Sequence, residues 1–223
     1  MIRRDYILRM IEEFIRALAT IHSLKKDRRW QEAAGTIDGE FKRLIRAGVQ
    51  EVTNLTETEL LARLMEGEAM LVVHDKTLLL TALFKEAGDV AVAQGRSAEG
   101  RANYLTGLKL MLGVLGRVDL TEFPQFVPKV EAFVAALQNS ALPLETQALL
   151  MHHYERTGEF AKAEDALFAM IEGDPDNTRI LEFGISFYQR LKSQTDEALT
   201  AGNLPRPELE ASLAELGHRR GCP

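Results

Sequence analysis

Residues 144–177 read LETQALLMHHYERTGEFAKAEDALFAMIEGDPDN, and the spacing inside this stretch decides the fold. Leu150 and Tyr154 stand four residues apart on one side of Thr157-Gly158; Phe160, Ala163 and Leu167 stand three and four apart on the other. Steps of three and four place side chains on one face of an α-helix. Helices are therefore expected over 144–156 and 159–172, joined by a tight turn at Thr157-Gly158, where glycine allows the backbone to reverse. Gly173-Asp174-Pro175-Asp176-Asn177 ends the second helix.

The same signals extend in both directions. Beyond Asn177, a helix is expected from near Thr178 to about Ala201, followed by a loop at Gly202, Pro205 and Pro207 and a last helix over 208–216. Before Pro143, the two prolines Pro124 and Pro128 confine a helix to roughly 125–139, with Pro128 in its first turn. Helices over 70–93 and 98–117 are separated by Gly95, and Ser97 is the expected cap of the second. Thr56 and Glu59 have the spacing of a capping box at the start of a short helix reaching about Glu66. A helix over 30–47 is expected to stop at Gly48 with a left-handed cap. Ile7, Ile11, Phe14, Leu18 and Ile21 make residues 1–25 a long amphipathic helix whose stripe packs on a globular body. No stretch alternates with period two, so no sheet is expected.

With 46% hydrophobic and 27% charged residues among 223, the chain has the balance of a folded globular protein. Its longest apolar runs, Leu78 to Phe84 and Leu110 to Leu115, fall far short of the roughly 20 residues a membrane-spanning helix needs. Charges from Arg3 to Glu13 interrupt any secretory signal. Cys222 is the single cysteine, so no intramolecular disulfide is expected, and a cytoplasmic location fits. The net charge of −6 argues against nucleic acid as a general partner. Residues 1–47 nevertheless carry eleven basic against seven acidic side chains.

The 144–177 segment resembles a tetratricopeptide repeat, a 34-residue pair of antiparallel helices. Leu150 and Tyr154 match the large positions of the first helix, Gly158 the turn, Phe160, Ala163 and Leu167 the second helix, and Pro175 the stop. Met151 replaces the usual small residue and Gln147 the usual aromatic one. Phe84, Gly88, Gly95 and Tyr104, with Gly100 and Gly107, repeat these spacings as a degenerate unit over about 81–114, and Trp30, Ala33 and Ile37 resemble a second helix. The opening Met1-Ile2-Arg3-Arg4-Asp5-Tyr6-Ile7 and the closing segment from Ser193 to Pro205 also look like the ends of an uncharacterised bacterial family of unknown function. The resemblances imply an all-α fold of antiparallel helical hairpins stacked as an irregular tetratricopeptide-like array. One helical domain over 1–223 is expected, comprising an N-terminal hairpin region (1–67), a degenerate hairpin (70–118), the 144–177 hairpin, and C-terminal helices and tail (178–223).

No motif assigns catalysis, a cofactor or a metal. His152 and His153 are adjacent, hence about 100° apart on a helix, and do not chelate one ion together. Asp174-Pro175-Asp176-Asn177 lacks the central glycine and distal glutamate of a calcium loop and reads as helix termination and capping. Gly35 and Gly39 sit in a helical pattern with no preceding strand, which points to close helix packing and not to a phosphate cradle.

Three functions compete. A binding module would hold a protein or peptide partner on the concave side of the stacked hairpins, with Gln147, His152, Arg156, Glu182 and Gln189 as the candidate lining. An enzyme would need groups such as His74, Asp75 and His153 to meet only in the fold. An anionic-surface binder would use Arg3, Arg4, Arg9, Lys25, Lys26, Arg28 and Arg29 on lipid or nucleic acid, whereas core packing by Ile7, Ile11, Phe14 and Leu18 gives that helix a structural role. A homodimer through the first helix or an uncapped end of the stack is also compatible with such an array.

Overall fold

A computed structural model of the chain describes residues 2–66, 70–116 and 124–221. Among them the backbone forms twelve helices and no strand, packed chiefly as neighbouring pairs. Two compact units result, Met1–Ala141 and Leu142–Pro223, and the division falls just before Pro143.

The first unit contains α1 (Ile2–Lys26), α2 (Trp30–Ile45), α3 (Val49–Thr53), α4 (Glu57–Met65), α5 (Met70–Ala93), α6 (Ser97–Leu115) and α7 (Val130–Leu137). Every residue of α5 from Lys76 to Phe84 is buried, because α1, α2, α4 and α6 all pack on it. A helix buried on all sides carries no simple polar stripe. Its buried hydroxyls turn inward to the helix itself: Thr77 donates to the Val73 carbonyl at 2.7 Å and Thr81 to the Thr77 carbonyl at 2.9 Å. Phe14, Ile21, Ile37, Phe41 and Phe84 fill the core, with Phe41 and Phe84 edge to face at 4.9 Å.

α5 and α6 are antiparallel. A Cβ at Gly88 would lie 2.2 Å from the Tyr104 ring and one at Gly100 2.5 Å from Val92. One at Gly107 would lie 2.6 Å from the Phe133 ring and 3.0 Å from Phe84. The glycines thus admit large side chains between the backbones. Gly35 and Gly39, expected to serve close packing, instead face open space with nothing within 4 Å.

The second unit contains α8 (Leu144–Thr157), α9 (Phe160–Gly173), α10 (Thr178–Leu191), α11 (Asp196–Ala201) and α12 (Arg206–Gly221). Gly158 takes φ +78 between α8 and α9, the left-handed turn expected at that position. Leu150, Tyr154, Phe160, Ala163 and Leu167 are all buried. Gly202 lets the loop after α11 pass close to Phe160, where a Cβ would lie 2.4 Å from the ring, and the Gly202 carbonyl accepts from the Ala161 N–H.

Several boundaries differ from expectation. α2 ends at Arg46, which takes the left-handed conformation at φ 58 and donates its N–H to the Lys42 carbonyl. Gly48 is extended and serves the start of α3, whose Val49 N–H is capped by Asp38 at 3.0 Å. Ser97 is the first residue of α6 and makes no cap bond. α7 starts only at Val130, since proline at 128 disfavours helical geometry in the residue before it. The long helix expected over 178–201 is broken after Leu191, and Thr195 caps the new start by accepting from the Ala198 N–H. The last helix runs farther than expected, to Gly221. Thr56 and Glu59 form the full capping box.

Candidate binding surface and ionisable clusters

The five residues proposed from sequence lie on α8 and α10 of the second unit. His152 and Arg156 are one turn apart on α8, Glu182 and Gln189 two turns apart on α10, and all four are exposed. Gln147 is partly buried, at helical spacing to Leu150, Met151 and Tyr154. Arg190 grips both oxygens of Glu155, at 2.7 and 2.8 Å. This two-pronged bond joins α10 to α8. Phe183, two turns before Arg190 on α10, keeps 37% of its surface exposed.

Asn177 caps α10 by accepting from the Arg179 N–H at 3.1 Å and donates to Asp174 at 2.8 Å. The acidic stretch 174–177 therefore terminates one helix and starts the next.

Two polar clusters escaped the sequence reading. In the first unit, Lys25 of α1 donates to Glu86 at 2.6 Å and to Asp89 at 2.7 Å on α5. Asp89 also receives Lys85 at 2.6 Å and the Tyr104 hydroxyl at 2.9 Å, while His22 Nε2 lies 3.1 Å from Glu86. All four carboxylate oxygens are engaged and the two lysines balance the two acids. The cluster thus clamps α1 and α6 to α5. Burial alone would lower the Lys25 pKa, but its bonds to Asp89 and Glu86 outweigh that and raise it. Burial alone would raise Asp89, but bonds from Lys25 and Lys85 hold it below its ordinary value. Burial and Asp89 push the Tyr104 phenol upward.

In the second unit, Tyr188 of α10 donates to Glu164 of α9 at 2.6 Å, and both residues are buried. Ser212 of α12 bonds the same carboxyl. Burial raises the Glu164 pKa, aided by Glu208 and Asp165 and against the lowering effect of the bonds from Tyr188 and Ser212. The three helices are tied together through one acid.

Of the groups considered for catalysis, His74 Nδ1 is 3.5 Å from its neighbour Asp75 and its Nε2 is buried without a partner, while His153 belongs to the second unit and stacks at a tilt beside Tyr154. Among the described residues no three His, Cys, Asp or Glu side chains gather as a metal site, and no helix is long and apolar enough to cross a membrane. Cys222 lies outside the described residues. Of the N-terminal cations, Lys25 is committed to the clamp and Arg29 to Glu32.

Fold and site define a class: an all-helical array whose ionisable clusters join helices to one another. Within that class the chain belongs to a family of unknown function, DUF6483, whose model matches residues 1–221. No curated protein and no solved structure matches it.

Proposed function

We propose that the protein is a non-catalytic, tetratricopeptide-like scaffold that holds a protein or peptide partner on the α8–α10 surface. The observation that carries this reading is the Glu155–Arg190 bridge, which links α8 to α10. His152, Arg156, Glu182 and Gln189 are the polar contacts on that surface, and partly exposed Phe183 is its apolar anchor. An apolar residue ringed by hydrogen-bonding groups is the usual make-up of a recognition patch. The neutral, fully engaged Lys25 cluster supports a structural part for the most concentrated set of ionisable groups.

The test is affinity capture from the native cell with the wild-type chain and with a variant carrying His152→Ala, Arg156→Ala, Glu182→Ala and Gln189→Ala. Partners should be lost from the variant while its circular dichroism stays unchanged. Partners retained by a folded variant would remove this surface from consideration.

A further inference from the structure

A second feature lies in the first unit, where α3 passes the start of α6. Val49, Gln50, Thr53 and Asn54 from α3 and its cap face Glu99, Ala102 and Asn103 from α6 across a cleft of about 220 Å³. Asn103 is only 1% exposed. A carboxamide has two donor hydrogens and an acceptor oxygen with two lone pairs. Here Thr53 is its side-chain partner, with 2.9 Å between Thr53 Oγ1 and Asn103 Oδ1.

Thr53 Oγ1 also lies 2.7 Å from the Val49 carbonyl, and a hydroxyl has one hydrogen to give. With that hydrogen on Val49, the Asn103 amide turns its nitrogen to Thr53 and keeps its oxygen for another partner; with it on Asn103, the amide nitrogen stays open. Either orientation leaves one half of the amide of this 1% exposed residue with no side-chain partner beyond Thr53 and open to the cleft that Asn103 lines.

The lining selects the chemistry of an occupant. It carries a carboxylate, Glu99, which already accepts from Arg96, and no lysine or arginine, so it repels anions. It also has no aromatic ring on which a sugar face could stack. Three carboxamides and a hydroxyl offer paired donors and acceptors, with Val49 and Ala102 as the apolar wall.

We propose that the α3–α6 cleft binds an uncharged carboxamide, presented by the main chain of an extended peptide or by a glutamine-type side chain. The open half of the Asn103 amide bonds to the ligand's N–H or C=O, and Gln50 and Asn54 line the cleft beside it. The cleft belongs to the first unit and the α8–α10 surface to the second, so either proposal can fail alone.

The experiment is a two-dimensional NMR titration of the full chain, following the Asn103 side-chain amide resonances. N-acetylalanine N-methylamide serves as the main-chain probe, propionamide as the side-chain probe, and glucose and acetate as controls. Saturable shifts of Asn103 with either amide, and none with the controls, support the site, and the amide that binds more tightly identifies the source. Ala102→Leu fills the cleft without touching the Asn103 hydrogen bond and should weaken binding by about tenfold or more. Asn103→Asp should do the same if it folds. No saturable shift with either amide, equal binding of glucose, or undiminished binding by Ala102→Leu overturns the proposal.

Discussion

Tyr104 and Gly88 show how much one hydrogen atom in place of a methyl decides. The ring fills the space a Cβ at residue 88 would take, 2.2 Å from its nearest carbon, and from there its hydroxyl reaches Asp89. Gly88→Ala must displace the ring and disturb the Lys25 clamp. It should cost about 1–3 kcal/mol, the range for overpacking a dense core, read from thermal or urea unfolding. Gly35→Ala, which faces open space on α2, should instead be neutral or mildly stabilising, because alanine is the better helix former by up to about 1 kcal/mol. The glycine at 88 was legible as a small position in a repeat-like spacing; that Gly35 serves no packing was not, since one helical pattern does not say which side meets a neighbour. Asn103 was overlooked for a related reason. It lies in the stripe Gly100, Asn103, Gly107 and Leu110, all buried, and a polar residue inside an apolar stripe was the signal available.

At the scale of elements, helix starts separate real caps from apparent ones. Thr195 accepts from the Ala198 N–H at 3.2 Å and begins α11 after the chain has broken at Leu191. Thr195→Ala should cost about 1 kcal/mol and speed hydrogen exchange through residues 196–201. Ser97 makes no cap bond, so Ser97→Ala should change stability by no more than a few tenths of a kcal/mol. Both residues are Ser or Thr before a helical pattern. Local sequence offers either as a cap; the path of the preceding chain decides which is used. The 178–201 segment makes the same point: the polar run from Lys192 to Glu197 carries no apolar residue, and α11 starts after Thr195 as a separate helix.

The two units of the molecule should respond to acid in opposite directions. Asp89 has its folded pKa below the ordinary 3.8, so its contribution to the first unit is present above that value and is lost as pH falls through the folded pKa. Glu164 has its folded pKa raised above the ordinary 4.5, so the folded second unit holds its proton more tightly than the unfolded chain does. Its stability rises as pH falls from above the folded pKa toward 4.5, and levels off below. Hydrogen exchange followed unit by unit from pH 7 to 3 should show residues 142–221 gaining protection over the upper part of that range. Residues 2–116 should lose protection at its acid end. Glu164→Gln should flatten the first response and Asp89→Asn the second. Lys25 acts at the other extreme: its raised pKa gives stability that is complete below the ordinary 10.5 and is lost as pH rises through the folded value.

The sequence by itself determined the all-helical class and most of the helices, the turn at Gly158, the capping box at Thr56 and the cap at Asn177. Each of these depends on residues within about four positions of one another, where backbone geometry alone brings the groups together. Only the tertiary structure decided that Lys25 meets Glu86 and Asp89, that Tyr188 and Ser212 share the carboxyl of Glu164, and that Thr53 leaves half of Asn103 facing a cleft. Those partners lie tens of residues apart. Their meeting follows from which faces the apolar stripes bury, because the polar groups are carried to wherever the packed helices place them.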